Sequence, residues 1–328
     1  MSINQATAIA HPNIALIKYW GNRDEFLRLP VNGSISMNLD GLTTHTTVIF
    51  DSSLKQDTLE LNKQSVSGQP LDRVRMFLDL VRAAAEKWLY ARVVSQNDFP
   101  ISAGIASSAS AFAALALAAS TALGLELNSQ NLSRLARRGS GSACRSIPDG
   151  FCEWLLGNSD EDSFAYSIAP TSHWDLLDCI VIVQQGEKAI SSIKGHRLAN
   201  TSPLQAARVA DCPRRLDICR RAIADCDFES LAKIVELDSN LMHAVMMTSS
   251  PTIQYMQPTT LTIIHAVQQW RQEGISVCYT LDAGPNVHVL CQSIDVKKVL
   301  IQLTQIPGVL QVIKAKPGNG ARLIQSPP

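Results

Sequence analysis

The chain has 328 residues, of which 46% are hydrophobic and 18% charged, as in an ordinary water-soluble protein with one or two domains. Its 29 basic and 29 acidic residues balance, so no overall field attracts nucleic acid or an anionic membrane. The chain shows no signal peptide, no membrane-spanning run and no metal-binding pattern among its eight scattered cysteines. We therefore expect a cytoplasmic protein with reduced cysteines, no dedicated metal site, and local charges wherever it binds an anion.

The N-terminal part is predicted to begin with β-strands. Residues 8–21 form a mixed apolar run, and residues 34–39 and 43–50 alternate between apolar and polar side chains, which is typical of strands. Apolar residues recur at helical spacing over 71–89, and residues 93–99 suggest a short strand that leads into a loop.

The middle of the chain is predicted to contain a buried helix. Residues 107–123 are almost entirely Ala, Leu and Ser and are apolar on every face, while their modest hydrophobicity argues against a membrane span. Another helix begins within 132–138, and 178–183 is a candidate buried strand.

The pattern changes after Gly186, where long amphipathic helices alternate with strands. The predicted helices are 204–223, 230–247 and 259–273, and the predicted strands are 277–281, 287–291 and 310–313. A turn near 316–322 precedes an edge strand or a tail. We therefore place a domain boundary near Gly186, giving domains 1–185 and 186–328.

The segment 137–146, Arg-Arg-Gly-Ser-Gly-Ser-Ala-Cys-Arg-Ser, has the composition of an anion site. Glycines allow close approach of the backbone, hydroxyls and amides donate hydrogen bonds, and Arg145 can bind a carboxylate or phosphate with two N–H groups. The alternative is a flexible Gly-Ser linker, which rarely lies between two helical patterns.

A second anion site is predicted at 99–110, where a glycine and several serines precede the Ala-rich helix. Free amide groups and the positive end of the helix dipole would face a phosphate there. A serine-rich helix cap without a ligand would look similar, and the segment matches neither the P-loop nor a dinucleotide fingerprint.

Two charged residues and one histidine are candidates for chemistry. Asp282 follows an apolar strand, where it either reaches into a cleft or merely opens a turn. Lys18 lies inside an apolar run and needs an anionic partner, for which Asp282 is the candidate. His243 is either a base or, as is commoner on such a helix, a packed residue.

Together these segments resemble the GHMP kinase superfamily and, within it, the mevalonate diphosphate decarboxylases. The resemblance is carried in order by residues 13–21, 29–36, 99–110, 138–146, 238–243 and 281–286. The combination of Lys-Tyr-Trp-Gly, Gly-Ser-Gly-Ser-Ala-Cys-Arg and Asp-Ala-Gly-Pro-Asn is specific to the decarboxylase branch. The resemblance implies an α+β, two-domain GHMP kinase fold, with a ribosomal protein S5 domain 2-like N-terminal domain and a ferredoxin-like α/β sandwich as C-terminal domain.

The resemblance also implies the site residues. Asp282, paired with Lys18, would orient or deprotonate the substrate 3-hydroxyl, Arg145 would hold the carboxylate, and Ser192 would lie near the reacting phosphate. The implied substrate contacts are Tyr19, Trp20, Gly21, Asn22, Arg73, Ser140, Gly141, Ser142, Ala143, Cys144 and Arg145. ATP would contact Ser102, Ala103, Gly104, Ala106, Ser107 and Ser108, with Mg²⁺ bridging its phosphates. A homodimer is expected.

Two positions depart from the family pattern. Asn22 stands where the family usually has Lys, and Ile193 stands where it usually has Arg or a hydroxyl residue. Both positions face the substrate diphosphate in the family, so less positive charge remains unless Arg23 or residues Lys194 and His196 restore it. We therefore predict mevalonate 5-phosphate as substrate and isopentenyl phosphate as product. The alternative is mevalonate 5-diphosphate, giving isopentenyl diphosphate.

Two further alternatives differ in class. A kinase that phosphorylates without decarboxylating is expected to lack the Asp of Asp-Ala-Gly-Pro, which is present here as Asp282. A non-catalytic relative that only binds would need a damaged phosphate loop or a lost Asp or Arg, whereas Ser107, Ser108, Arg145 and Lys18 are all intact.

Overall fold

The fold is taken from a computed structural model, which describes residues 4–99, 107–186 and 190–324. The strands of these residues are β1 Asn4–Ala10, β2 Asn13–Ile17, β3 Asn22–Asp24, β4 Leu29–Pro30, β5 Ser34–Asp40, β6 Thr44–Phe50, β7 Thr58–Leu61, β8 Gln64–Val66, β9 Ala91–Asn97, β10 Phe151–Trp154, β11 Ala165–Ala169, β12 Leu176–Ile182, β13 Val277–Thr280, β14 Val287–Gln292, β15 Gln311–Pro317 and β16 Arg322–Ile324. The α-helices are α1 Gln69–Ala85, α2 Ser107–Ala122, α3 Ser129–Gly139, α4 Ser192–Leu198, α5 Gln205–Ala210, α6 Cys212–Ala224, α7 Phe228–Met247, α8 Pro258–Gln272 and α9 Val296–Thr304. Two short 3₁₀ segments, Gly141–Ser146 and Ala199–Thr201, complete the secondary structure of this part.

A six-stranded sheet in the order β16-β1-β6-β9-β7-β8 carries helices α1, α2 and α3. Val48 and Phe50 alternate toward the helices and share one apolar core with Phe77 of α1 and Phe112 of α2. The small side chains of α2 let it lie directly against β1 and β6, which explains why this helix is buried on almost every face, as predicted.

A second, eight-stranded sheet runs β11-β10-β5-β15-β12-β14-β13, with β2 paired to β5. Every residue of β12 is buried. Ile180 and Ile182 point into a core shared with α6 and α7, whereas Cys179 and Val181 point into a core shared with α8 and α9. A sheet covered on both faces requires such a continuous apolar strand, and the mixed helix-and-sheet architecture confirms the predicted α+β class. Within the described ranges, no helix is both long and apolar enough to cross a membrane.

The structure corrects some predicted elements. The single helix expected over 204–223 is two helices, α5 and α6, because Pro213 lies in the first turn of α6 and cannot extend the hydrogen-bond ladder of a preceding helix. Strands β7, β8, β10 and β11 and helices α4 and α9 are absent from the sequence prediction, since each is at most nine residues long and lacks a sustained periodicity. The domain boundary near Gly186 stays a prediction.

Candidate active site

A cleft of about 670 Å³ collects most of the residues that the sequence singles out. The predicted residues that line it are Lys18, Tyr19, Trp20, Arg73, Ser107, Ser108, Ser140, Gly141, Ser142, Arg145, Ser192 and Asp282. They come from the end of β2, the starts of α1, α2 and α4, the 3₁₀ segment after α3, and the loop after β13. The cleft therefore unites segments that are separated by up to 264 residues in the chain.

The backbone of Lys18 is fixed by a buried polar network at the end of β2. Its N–H donates to Asp238 Oδ2 of α7 at 2.6 Å, and Asp238 Oδ1 accepts from Arg215 Nε at 2.7 Å. The carbonyl oxygen of Lys18 accepts hydrogen bonds from Asn32 Nδ2 at 2.9 Å and from Arg208 Nη2 at 2.8 Å. The Asp238–His243 motif therefore includes a residue that anchors the strand end carrying Lys18.

The loop after β13 is fixed from the same helix. The N–H of Leu281 donates to Ser239 Oγ at 3.0 Å, so the residue directly before Asp282 is bound to α7. Consecutive residues of one helix, Asp238 and Ser239, thereby hold the two strand ends that carry Lys18 and Asp282. A buried helix is a rigid support for a site that must hold its groups within fractions of an ångström.

Lys18 and Asp282 form an ion pair with an Nζ–Oδ1 distance of 2.7 Å. The side chain of Lys18 is 1% exposed and that of Asp282 is 27% exposed. The ammonium group is therefore buried behind the carboxylate, which faces the cleft. The partner that the sequence assigns to Lys18 is thus the one that the structure gives it. This pairing offsets part of the cost of burying the charge of Lys18.

The pair sets the charge state of Asp282. Burial by itself raises the pKa of Asp282, but the charge and hydrogen bond of Lys18, together with the charges of His288 and Arg145, outweigh burial and hold this pKa below its ordinary value of 3.8. Burial likewise lowers the pKa of Lys18 below 10.5, and the charge of Asp282 opposes that shift. Asp282 is therefore ionised at neutral pH and is a weak base, better suited to orient a hydroxyl than to take its proton early.

Arg145 is a buried cation without a carboxylate partner in the described ranges. It is 2% exposed. Its Nη1 donates to Ser34 Oγ at 2.6 Å, and its Nε and Nη2 donate to Asn13 Oδ1 at 3.3 and 3.2 Å. Both partners are neutral, so the charge of Arg145 is left for an anion in the cleft. Asn13 and Ser34 are absent from the predicted site, because nothing in the sequence links them to Arg145.

The loop 140–146 is ordered and is not a linker. Helix α3 ends at Gly139, and Ser140 leads into the 3₁₀ segment Gly141–Ser146. A Cβ atom on Gly141 would lie 2.6 Å from the Tyr19 ring, so the close contact with Tyr19 requires glycine here. Ser140 Oγ lies 3.3 Å from Ser108 Oγ at the start of α2, which joins the two predicted anion sites.

Two of the predicted substrate contacts, Ala143 and Cys144, do not line the cleft. Both side chains are fully buried, and the thiol of Cys144 donates to Gly141 O at 3.0 Å. Arg137 is also fully buried and binds Asp160 and the carbonyl oxygen of Ser163. Ser140, Gly141, Ser142 and Arg145 line the cleft, whereas the 3₁₀ segment directs Ala143 and Cys144 into the core.

Gly21 and Asn22 also do not line the cleft. Asn22 Oδ1 accepts from the Tyr19 hydroxyl, and its Nδ2 donates to Glu25 Oε1 at 3.0 Å. Arg23, considered as a replacement cation, turns away and donates to the carbonyl oxygens of Leu156 and Gly157. The side chains of Asn22 and Arg23 therefore bind residues of the hairpin and of its neighbours, and they do not line the cleft.

His196 reaches the cleft but adds no charge to it. Its ring contacts those of Tyr19 and Trp20, with centroid distances of 4.3 and 4.6 Å, and its Nδ1 accepts from Gly21 N–H. Burial and the nearby Arg28 lower the pKa of His196 to about 3, so it is neutral at physiological pH. Lys194 is exposed and lies outside the cleft wall.

Arg28 is a cleft residue that the sequence analysis missed. It lies in the turn between β3 and β4 and lines the cleft together with Arg73. Sequence alone does not distinguish it from an exposed turn residue, since five of the seven residues 22–28 are charged or amide residues.

Of the predicted nucleotide contacts, Ser107 and Ser108 open α2 and line the cleft, whereas Ser102, Ala103, Gly104 and Ala106 lie outside the described residues.

His243 is a packed residue and not a cleft residue. It is 2% exposed, its Nε2 has no hydrogen-bond partner among the described residues, and burial together with Lys18 lowers its pKa to about 4. In the unfolded chain the pKa returns to about 6.5, so only the unfolded state gains a proton between pH 6.5 and 4.

We therefore expect acid to destabilise the protein through His243. The stabilisation is complete above pH 6.5 and is lost as the pH falls toward 4, amounting to roughly 1 to 2 kcal/mol between pH 7 and pH 5. Urea unfolding at both pH values should show a smaller pH-dependent change for His243→Gln than for the wild type. Equal changes in the two proteins would contradict this account.

Known proteins resemble this chain over its whole length. It matches the family model "Diphosphomevalonate decarboxylase-like N-terminal domain" over residues 10–165 and "Mevalonate 5-diphosphate decarboxylase C-terminal domain" over residues 179–319. It is 36% identical to a diphosphomevalonate decarboxylase of Candida albicans, with 96% of each chain covered.

Solved structures show the same likeness. One is described as "Mevalonate diphosphate mediated ATP binding mechanism of the mevalonate diphosphate decarboxylase from Enterococcus faecalis"; it is 39% identical, has a TM-score of 0.92, and covers 99% of this chain and 100% of its own. Another, "MDDEF in complex with MVAPP, AMPPCP and Magnesium", has a TM-score of 0.93 at the same identity and coverage. This agreement confirms the two-domain α+β architecture that the sequence predicts.

Proposed function

Because the chain belongs to the mevalonate diphosphate decarboxylase family of the GHMP kinase superfamily, we propose that it is an ATP-dependent carboxy-lyase that acts on mevalonate 5-diphosphate. ATP would transfer its terminal phosphoryl group to the 3-hydroxyl of the substrate. Loss of that phosphate with the electron pair of its C–O bond, and loss of carbon dioxide from the neighbouring carbon, would leave isopentenyl diphosphate, ADP, phosphate and carbon dioxide.

One observation carries the proposal: the buried, carboxylate-free Arg145 lies in the same cleft as the Lys18–Asp282 pair. Arg145 fits a carboxylate, because its planar guanidinium is held by neutral partners and forms no ion pair within the described residues. Asp282 fits a hydroxyl, because its second oxygen is left to accept a hydrogen bond beside the cleft. A hydroxy acid placed between them would have its two reacting groups oriented by fixed side chains.

The nucleotide side of the cleft also fits the proposal. Ser107 and Ser108 open α2, where amide groups and the helix dipole favour phosphate, and Ser108 lies beside Ser140 on the substrate side. Mg²⁺ prefers oxygen ligands and usually binds through substrate phosphates, so the phosphates of ATP and these serine hydroxyls would hold it. When bound, it would neutralise charge on the phosphoryl group in transit.

Ser192 supports the same arrangement. It is the first residue of α4 and lines the cleft opposite the loop 140–146. Ser191, its helix cap, accepts a hydrogen bond from Lys194 N–H at 3.3 Å, which orders the start of this short helix. We assign Ser192 to the reacting phosphate, and Tyr19, Arg73, Ser140 and Ser142 to the 5-diphosphate end of the substrate.

The choice of diphosphate replaces our preference for mevalonate 5-phosphate, which the comparisons do not support. That preference rested on the uncharged Asn22 and Ile193. The structure supplies a cation elsewhere, because Arg28 lines the cleft beside Arg73. Relatives described as diphosphomevalonate decarboxylases, and a solved complex that contains mevalonate diphosphate, favour the diphosphate as well.

The test is a comparison of both substrates with purified enzyme, ATP and Mg²⁺. We expect ADP and carbon dioxide in equal amounts, and a kcat/KM at least about 10-fold higher for the diphosphate, since one more phosphate adds charge-assisted contacts to the arginines. A higher kcat/KM for mevalonate 5-phosphate would overturn the choice of substrate. ADP without carbon dioxide would indicate a kinase, and neither product a binding protein.

The homodimer and the cytoplasmic location that the sequence leads us to expect stay predictions. Sedimentation of the purified protein at micromolar concentration would test the first, with a single species near 36 kDa counting against it, since the chain has a mass of 35.7 kDa.

A further inference from the structure

We propose that Arg28 is a substrate-specificity residue of this enzyme, which binds the terminal phosphate of the 5-diphosphate and supplies the cation that Asn22 does not. The proposal rests on the proposed function, because it assigns one phosphate of that substrate. Arg28 lines the cleft, and its guanidinium has no carboxylate partner within the described residues.

The position of Arg28 is set by the end of helix α3. Its Nε donates to Arg138 O at 3.0 Å, and Arg73 Nη2 donates to the next carbonyl oxygen, Gly139 O, at 3.4 Å. Two guanidinium groups from different elements therefore lie over successive carbonyls that directly precede Ser140. The Ser140 hydroxyl belongs to the segment predicted as an anion site, so the two cations flank it.

Both guanidinium groups keep N–H donors for a ligand. The two Nη groups of Arg28 have no hydrogen-bond partner within the described part of the chain, and Arg73 Nε is buried without one. Leaving a buried donor of a charged group unsatisfied is costly. Two adjacent cations also repel each other: burial and, to a smaller extent, the charge of Arg28 lower the pKa of Arg73. An anion with several oxygens would satisfy both.

The acidic residues of the same hairpin are engaged elsewhere. Asp24 Oδ1 accepts from Leu27 N–H at 2.7 Å, and Glu25 accepts from Asn22 and Arg197. None of them forms an ion pair with Arg28. The positive charge of Arg28 is therefore directed at the cleft and is not neutralised by its own turn.

The backbone at Arg28 has an unfavourable conformation. Its φ angle is +51°, in the left-handed region that favours glycine. A turn without a further role would be more stable with glycine or asparagine there. An arginine here therefore costs backbone free energy, which is consistent with a role of its side chain in the cleft.

The test measures equilibrium binding of mevalonate 5-diphosphate and mevalonate 5-phosphate by titration calorimetry without ATP, in the wild type, Arg28→Gln and Arg28→Lys. Loss of one charge-assisted contact should weaken diphosphate binding by about 10- to 100-fold in Arg28→Gln and monophosphate binding by less than about 3-fold. Arg28→Lys should recover part of the lost affinity. Arg23→Gln, in the same hairpin but outside the cleft, is the matched control and should stay within about 2-fold of the wild type.

The outcomes separate this proposal from the proposed function. Equal weakening for both ligands, or no weakening in Arg28→Gln, would overturn the role of Arg28, whatever reaction the enzyme catalyses. Failure of the wild type to release carbon dioxide would overturn the proposed function, while the ratio of the two affinities would still report on Arg28. With turnover intact, Arg28→Gln should raise KM for the diphosphate much more than it lowers kcat.

Discussion

Replacing Asp282 by asparagine should lower kcat by roughly 10³- to 10⁵-fold, the range expected when a carboxylate that positions and activates a nucleophile is lost. The amide keeps the shape of the side chain but carries no charge, so it neither orients the hydroxyl as strongly nor neutralises Lys18. Binding of ATP should change by less than about 3-fold, because Ser107 and Ser108 do not contact Asp282. Because turnover and ATP binding should respond differently, the formation of ADP and carbon dioxide should be measured separately from the binding of ATP.

The geometry also predicts how the wild type responds to pH. Since Lys18 holds the pKa of Asp282 below 3.8, kcat/KM should show no acid limb from this carboxyl group above about pH 4. Since burial lowers the pKa of Lys18, an alkaline limb should appear below pH 10.5.

The control for Asp282→Asn is Asp217→Asn, which changes an exposed carboxylate on α6 and should retain full activity. An Asp282→Asn enzyme with more than a tenth of wild-type kcat would refute the assigned role.

Replacing Arg145 by lysine should lower kcat/KM by roughly 10²- to 10³-fold although the charge is kept. The ammonium of lysine is a point charge, which cannot donate to Ser34 and Asn13 and still present two parallel N–H groups to a carboxylate. Lysine also leaves the buried oxygen of Asn13 without its partner. Fluorescence or circular dichroism at 25 °C should verify that the variant is folded before its kinetics are compared.

An analogue of the substrate with a carboxamide in place of the carboxylate tests the assignment directly. The wild type should bind the carboxamide at least about 10-fold more weakly than the acid, because Arg145 then loses a charged acceptor. Arg145→Lys should discriminate much less between the two ligands. If both proteins discriminate equally, the carboxylate binds elsewhere and Arg145 serves only to support the fold.

The buried hydrogen-bond network behind the site includes Asp238, which positions other residues. Asp238 does not line the cleft, yet it accepts a hydrogen bond from the N–H of Lys18 at 2.6 Å and pairs with the fully buried Arg215. It is therefore a positioning residue, and its loss would leave the buried Arg215 with one carboxylate partner, the partly exposed Asp211, and a hydrogen bond to Arg208 O. The same helix carries Ser239, so one element aligns both members of the ion pair.

The sequence by itself determined the class of fold, the principal segments of the site and the family. The pattern of apolar residues is a local property: helical periodicity predicted α7, and uninterrupted apolar runs predicted α2 and β12, because these elements are buried. The pairing of Lys18 with Asp282 also followed from local chemistry, since a lysine within an apolar run requires an anion. Motif order then supplied the family to which both residues belong.

Only the tertiary structure decided which side chains face the cleft. Within one short motif, Ser140 and Arg145 point toward the substrate side while Cys144 is packed in the core, because the 3₁₀ turn rotates successive residues in a way that the sequence does not reveal. The directions of the Arg28 and Asn22 side chains likewise could not be predicted from the sequence. They belong to one hairpin, and its turn places the arginine in the cleft and directs the asparagine to Tyr19. Side-chain direction depends on contacts with distant elements, and those contacts exist only in the folded protein.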